Sequence, residues 1–170
     1  MPLRCPILPS ARRLLLVVAL SPLLVSCGPS LKPIRLPPTM AFTDLATGQN
    51  FETQNLKGSL ILLNLWAAWS PASAKELPEV VNLYEQFSDR GLIVLGVSLD
   101  DAPPAGLLVF AERHGIRYPL VRPGDQTLDL LNPVETIPYT VLLNSDGKIL
   151  QRFRGPFKPS QVHEAIEKNL

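Results

Sequence analysis

The chain has 170 residues, of which 46% are apolar and 18% are charged, and its formal net charge is +1. This length and apolar content are enough for one hydrophobic core and give no reason to expect a second folded domain. A net charge near zero argues against nucleic-acid binders, because their surfaces are strongly basic.

The first 26 residues have the order of a secretory signal peptide. Arg4, Arg12 and Arg13 precede the apolar run Leu14–Val25, which is shorter than the about 20 apolar residues of a membrane-spanning helix. Removal of residues 1–26 leaves 13 basic and 15 acidic side chains, a net charge of −2. We therefore expect an exported, slightly acidic mature protein that binds no nucleic acid.

The signal segment ends in Leu24-Val25-Ser26-Cys27, which resembles the lipobox of bacterial lipoproteins. That resemblance implies that Cys27 carries lipid and becomes the new N-terminus, which would tether the protein to a membrane. A simple secretory signal followed by an incidental cysteine is the alternative. Since Cys5 would leave with the signal, a lipidated chain would have no free thiol. Residues 27–41 are then a lipidated cysteine and a proline-rich tether.

The remainder, residues 42–170, predicts one α/β domain in which helices cover both faces of a central mixed sheet. Its first half reads as a hairpin over 42–45 and 50–53, a buried strand over 60–66, a helix over 72–88, a strand over 92–99 and a helix over 105–114. The strand–helix–strand order implies parallel pairing with a right-handed crossover. In the first helix an apolar stripe predicts the face that packs on the sheet; it consists of Leu77, Val80, Val81, Tyr84 and Phe87.

The second half of the domain predicts two more strands and a last helix. Short segments over 118–121 and 127–131 precede a strand over 136–143, and the turn 144–148 leads to an antiparallel strand over 149–153. A final helix is expected over 160–168, with Ser160 as its N-cap.

One stretch carries the strongest functional signal. It reads Leu60-Ile61-Leu62-Leu63-Asn64-Leu65-Trp66-Ala67-Ala68-Trp69-Ser70-Pro71-Ala72-Ser73-Ala74-Lys75-Glu76-Leu77-Pro78. The stretch resembles the thioredoxin superfamily, in particular the TlpA/ResA-like thiol–disulfide oxidoreductases of the redoxin type. In that family a strand leads into a Trp-Cys-x-x-Cys turn and a helix. The resemblance implies a thioredoxin-like fold over the whole domain.

The same resemblance assigns roles to particular positions. The two family cysteines fall on Ser70 and Ser73, the family acid/base glutamate falls on Glu76, and a cis-proline loop falls on Ile137-Pro138. A serine hydroxyl is far less acidic than a thiol and cannot form a disulfide, so dithiol chemistry is not expected here. We therefore expect no catalytic residue at these positions.

The serines also have a structural interpretation. Ser70 followed by Pro71 is typical of a helix N-cap and first helical position, and Ser73 is expected to help satisfy the next free amides. Glu76 is expected to be a helix-start carboxylate that favours the local dipole.

The sequence lacks the residues that three other activities would need. A serine hydrolase needs a histidine base beside Ser70, and no motif places His114 or His163 there. A copper site of the SCO type needs two cysteines and a histidine, and a peroxiredoxin needs a reactive cysteine, for which the mature chain offers only a non-lipidated Cys27. No metal and no cofactor are therefore expected.

The remaining hypothesis is a binding surface. In the family, the groove between the active-site turn and the cis-proline loop accepts an extended partner segment, and backbone contacts of that kind need no sulfur. The predicted docking groove consists of Trp66, Trp69, Ser70, Pro71, Thr136, Ile137 and Pro138, with Trp66 more typical of a core residue.

Two functions follow as hypotheses. The first is a lipid-anchored, redox-inactive module of the bacterial cell envelope that binds a protein or peptide, which the resemblance would place beside cytochrome or disulfide-handling machinery. The alternative is an active thiol–disulfide oxidoreductase, which requires that the serines replace native cysteines.

Overall fold

The computed structural model describes residues 39–56, 60–131 and 134–170. The predicted signal peptide, Cys27 and most of the tether lie outside the described residues. The described strands form one sheet in the order β2-β1-β5-β4-β3-β6-β7. Their bounds are β1 Ala41–Asp44, β2 Asn50–Glu52, β3 Leu60–Trp66, β4 Leu92–Ser98, β5 Leu120–Pro123, β6 Tyr139–Asn144 and β7 Ile149–Arg154.

The centre of the sheet is parallel and its flanks are antiparallel. β4 pairs in parallel with both β3 and β5, as the crossover order predicts. β6 runs antiparallel to β3, and β7 runs antiparallel to β6 and ends the sheet. The predicted hairpin forms the other end, where β1 pairs with β2 and also with β5.

The four α-helices of the described residues cover the two faces of the sheet unequally. They are α1 Pro71–Phe87, α2 Pro104–Arg113, α3 Thr127–Leu131 and α4 Pro159–Glu167. Buried residues of α1, α2 and α4 share one core cluster, while Leu131 of the short α3 belongs to a second cluster. The prediction of helices on both faces is confirmed, with three helices on one face and one on the other.

β3 shows why its sequence is an unbroken apolar run. Leu60, Leu62 and Trp66 contribute to the core beneath α1, α2 and α4, whereas Ile61, Leu63 and Leu65 contribute to the core on the opposite face. All seven residues of the strand are buried. A central strand that is covered on both faces has no solvent side on which polar residues would alternate.

Some local predictions need correction. Ser160 does not cap α4, because the helix begins at Pro159 and the cap position is Lys158, which makes no side-chain cap bond. In α1, Leu83 is buried although the predicted stripe omits it, while Val81 and Tyr84 are only partly buried at the edge of the core. At the N-terminal end, Met40 is buried and Ala41 begins β1, so the fold starts before residue 42.

Candidate functional site

The turn between β3 and α1 is fixed by Ser70. Its backbone is extended (φ −90°, ψ 111°) and its Oγ accepts a hydrogen bond of 3.2 Å from the amide of Ser73. Pro71 is the first helical residue, where its missing N–H removes nothing that the helix needs. The predicted N-cap is confirmed, and Ser70 is buried despite its polarity.

Ser73 does not play the predicted role. Its hydroxyl is buried and has no hydrogen-bond partner among the described residues. The cap instead uses its backbone amide, so the side chain satisfies no neighbouring N–H. Of the two hydroxyls, one caps the helix and the other forms no hydrogen bond among the described residues.

A second anchor of the turn was missed by the sequence analysis. The carboxylate of Asp100 accepts two hydrogen bonds from the amide of Ala68, at 2.9 and 3.1 Å, and one of 2.9 Å from the hydroxyl of Ser98. Asp100 lies two residues after the end of β4, and β4 runs parallel to β3, so its position at the same edge of the sheet as the turn could have been predicted. The loop after β4 therefore holds the segment that precedes Ser70.

Glu76 lies at the centre of a buried polar network. Its Oε1 accepts a hydrogen bond of 2.9 Å from the side-chain amide of Asn64 and a longer one of 3.5 Å from the hydroxyl of Thr140. Its Oε2 accepts a 2.9 Å bond from the backbone amide of Phe157. One carboxylate thus contacts β3, β6 and the loop between β7 and α4.

The interpretation of Glu76 as a helix-start carboxylate is wrong. The side chain is only 5% exposed, and α1 has no acidic residue in its first turn. Burial raises the pKa of the Glu76 carboxyl to about 7, although the hydrogen bonds from Phe157, Asn64 and Thr140 oppose that shift. Burial, together with the charge of Glu76, also raises the pKa of the Tyr118 phenol. Such a carboxyl can hold or release a proton near neutral pH, and it lies on the same helix as Ser73.

The cis-proline loop lies beside this turn. The Ile137–Pro138 peptide bond is cis, as the resemblance implied. Tyr139, the next residue, pairs with Leu65 near the end of β3, which brings the loop to the edge of the sheet where α1 begins. Thr136 is exposed, Ile137 is half-buried and Pro138 is buried.

The two tryptophans differ in environment. Trp69 is 70% exposed at the turn, whereas Trp66 is fully buried and stacks on Phe110 with ring centroids 5.2 Å apart. Trp66 is therefore not exposed to the predicted docking groove, and its interpretation as a core residue is confirmed. The other residues predicted to form the groove are Trp69, Ser70, Pro71, Thr136, Ile137 and Pro138, of which Trp69, Pro71 and Thr136 are exposed.

The histidines do not complete a hydrolytic site. The Nδ1 of His114 bonds to the Phe110 carbonyl oxygen, and His163 packs edge-on against Phe87. Neither ring is hydrogen-bonded to Ser70, whose Oγ accepts from the Ser73 amide. Among the residues that the structure describes, no cluster of three metal-ligating side chains occurs, and no helix there is long and apolar enough to cross a membrane.

Proteins that handle disulfides are found both among the relatives similar in sequence and among the solved structures similar in fold. The family model described as Redoxin matches residues 34–168. The thiol-disulfide oxidoreductase ResA of Bacillus subtilis (strain 168) is 30% identical over 118 residues, which are 69% of this chain and 65% of ResA. ResA of Halalkalibacterium halodurans is 26% identical over 122 residues, 71% of this chain and 68% of the relative. The chain thus spans about two thirds of the length of these relatives.

Solved structures share the fold. StoA from Bacillus subtilis superposes with a TM-score of 0.61 at 24% identity, covering 75% of this chain and 96% of StoA. A thiol:disulfide interchange protein from a Bacteroides species gives a TM-score of 0.66 at 22% identity, covering 78% and 86% of the two chains. A thioredoxin-like protein from Neisseria meningitidis gives 0.68 at 19% identity, covering 79% and 89%.

Proposed function

The chain belongs to the redoxin family, with a TlpA/ResA-like thioredoxin domain similar to thiol–disulfide oxidoreductases, and from this premise we propose that it binds an extended protein segment without exchanging disulfides. The observation that carries the proposal is the pair Ser70 and Ser73, which stands where the family has its two cysteines. A hydroxyl pair stores no electrons, because it cannot form a disulfide. Backbone contacts with an extended segment need no sulfur.

The geometry of the turn supports binding rather than nucleophilic chemistry. The Ser70 hydroxyl accepts the Ser73 amide and caps α1. The exposed ring of Trp69 and the exposed Thr136 lie on the two segments that flank the docking groove. An extended segment that lies between them can contact a large aromatic surface and the backbone of the cis-proline loop.

A photo-crosslinking residue at Thr136 tests the groove. Because Thr136 is exposed and two residues from Pro138, the probe faces any segment bound there without disturbing the core. We expect one dominant protein to be captured in the native host, and its capture to be lost in the Trp69→Ala variant. A probe at Glu112, which is exposed on α2, is the matched control. Equal capture from both positions would contradict a groove-binding function.

Disulfide exchange is the second candidate function, since the named relatives are thiol–disulfide oxidoreductases. The chain as it stands is expected to reduce insulin no faster than a protein-free control. A Ser70→Cys/Ser73→Cys variant is expected to gain dithiol-dependent turnover, because a proton-holding Glu76 is already in place. Turnover by the unaltered chain would overturn the redox-inactive proposal.

We further propose that the domain is held at the outer side of a bacterial membrane by lipid on Cys27. The order of the signal segment and its Leu-Val-Ser-Cys ending support this. Incorporation of a labelled fatty acid by the chain, but not by a Cys27→Ser variant, is the expected result. Label in both chains, or in neither, would count against lipidation at Cys27.

A further inference from the structure

A positively charged cleft lies at the β7 end of the sheet, separate from the serine turn. Its volume is about 610 Å³, and β7, α4 and the loop between them form its walls. Its basic lining residues are Arg152, Arg154, Lys158 and Lys168, and its aromatic lining residues are Phe153 and Phe157. We refer to this surface as the basic cleft.

The charge of the basic cleft differs from that of the rest of the domain. Residues 147–170 carry five basic and two acidic side chains, whereas residues 39–146 carry six basic and thirteen acidic ones. The net charge is therefore +3 for residues 147–170 and −7 for residues 39–146. A domain polarised to this degree attracts and orients anionic partners at one end.

The basic side chains of the cleft are available to a partner. All four are exposed, and in the described part of the chain the ion pairs within 4.0 Å are Arg90–Glu167 and Arg117–Glu85, neither of which involves them. The cleft also has one acidic lining residue, Glu164. Four unpaired cations against one carboxylate favour an anionic ligand.

The shape of the basic cleft indicates the form of that ligand. Among the described strands β7 ends the sheet and pairs only with β6, so its outer edge offers backbone donors and acceptors to another strand. Phe153 is buried at its floor, and the partly exposed Phe157 packs edge-on against it with ring centroids 6.2 Å apart. A concave surface with a free strand edge fits an extended chain better than a flat bilayer.

The basic cleft begins next to the docking groove. Arg154 pairs with Tyr139, the residue after the cis-proline, and the amide of Phe157 binds Glu76 in α1. A segment that leaves the groove past Pro138 therefore meets Arg154 first. We propose that the basic cleft binds an acidic, extended segment of the partner protein, continuing the path of the docking groove along β7. This deepens the proposed function and rests on it for the identity of the partner.

The test uses the full-length chain in neutral detergent and a fluorescein-labelled peptide of about ten alternating Glu and Thr residues, long enough to span β7. Fluorescence anisotropy at low and at about 0.15 M ionic strength should show binding that weakens with salt. Arg154→Glu/Lys158→Glu is expected to weaken it about tenfold or more. Arg113→Glu/Arg117→Glu makes the same charge change on α2 and the loop after it, and is expected to leave binding nearly unchanged.

Two further probes test strand pairing and the nature of the anion. An equally acidic peptide interrupted by prolines should bind about tenfold more weakly, since proline lacks the N–H needed to pair with a strand edge. Vesicles of phosphatidylcholine with phosphatidylglycerol should bind no better to the chain than to Arg154→Glu/Lys158→Glu. Equal loss in both double variants, equal binding of the two acidic peptides, or cleft-dependent vesicle binding without peptide binding would each overturn the proposal.

The outcome separates this inference from the proposed function. Peptide binding to the basic cleft is expected to survive in Trp69→Ala, because that side chain is not part of the cleft. If crosslinking from Thr136 depends on Trp69 but not on Arg154 and Lys158, the groove function stands and the cleft proposal fails. If the acidic peptide binds while Thr136 captures nothing, the groove function fails and the cleft remains.

Discussion

Ser70 and Ser73 lie in the same helical turn, but their hydroxyls contribute differently to stability. The Ser70 Oγ accepts the Ser73 amide, whereas the Ser73 Oγ is buried without a hydrogen-bond partner among the described residues. Loss of a serine N-cap costs about 0.5–2 kcal/mol. Removal of an unsatisfied buried hydroxyl is close to neutral or stabilising.

We expect Ser70→Ala to lower the free energy of unfolding by about 1 kcal/mol. Ser73→Ala is expected to change it by less than about 0.5 kcal/mol, or to raise it. Urea unfolding followed by tryptophan fluorescence measures both. The two variants are controls for each other, since each removes one oxygen from the same turn. Equal losses would show that the cap assignment is wrong.

At the scale of single residues, the sequence predicts the interactions between residues that are close together in the chain. A serine before a proline at the start of an apolar-striped helix indicates an N-cap, and Ser70 is one. The environment of Glu76 depends on Phe157, which is 81 positions away in the chain. No local pattern contains that contact, so the helix-start interpretation of Glu76 was wrong.

The turn before α1 depends on a neighbouring element as much as on its own residues. Asp100, in the loop after β4, holds the Ala68 amide and the Ser98 hydroxyl. Without its carboxylate both donors would remain in an environment that is largely closed to water, at about 1–3 kcal/mol for each unsatisfied group. The loop after β4 is therefore a structural part of the site.

We expect Asp100→Ala to destabilise the fold by about 2–4 kcal/mol, because two donors lose their acceptor, and to speed hydrogen exchange at the Ala68 amide. Amide exchange measured by NMR or mass spectrometry, together with chemical unfolding, checks this. The exposed neighbour Asp101 makes a matched control, and its change to alanine should stay within about 0.5 kcal/mol. Similar effects of both substitutions would refute the anchoring role of Asp100.

Helices and strands could be predicted from the sequence where the spacing of apolar residues shows which positions are buried. The central strands and α1 follow from apolar runs and a helical stripe, and the predicted 60–66 strand matches β3 in full. The short α3 and the start of α4 have no such pattern. α4 is predicted one residue late with the wrong cap, because the cap position is Lys158, whose side chain makes no cap bond.

For the molecule as a whole, Glu76 links folding to pH. The carboxyl contacts three separate parts of the fold, so it changes its surroundings when the domain unfolds. Its pKa is raised by burial from 4.5 to about 7. Between these values the folded state keeps a proton that the unfolded chain releases, and stability therefore falls as pH rises through this window.

We expect the unfolding free energy of the chain to fall by about 2–3 kcal/mol relative to Glu76→Gln between about pH 5 and pH 8. The glutamine removes the titrating group. Its side-chain amide cannot accept hydrogen bonds from both Asn64 and Phe157, so the variant is expected to be less stable than the unaltered chain at acid pH. Glu79→Gln, on the same helix, controls for the loss of one carboxylate and should keep the slope of the unaltered chain. Urea unfolding of the three proteins across this pH range gives the unfolding free energy of each as a function of pH. If the unaltered chain and Glu76→Gln ran parallel, the buried carboxyl would not change protonation on folding, and the network around it would owe its stability to packing and hydrogen bonds alone.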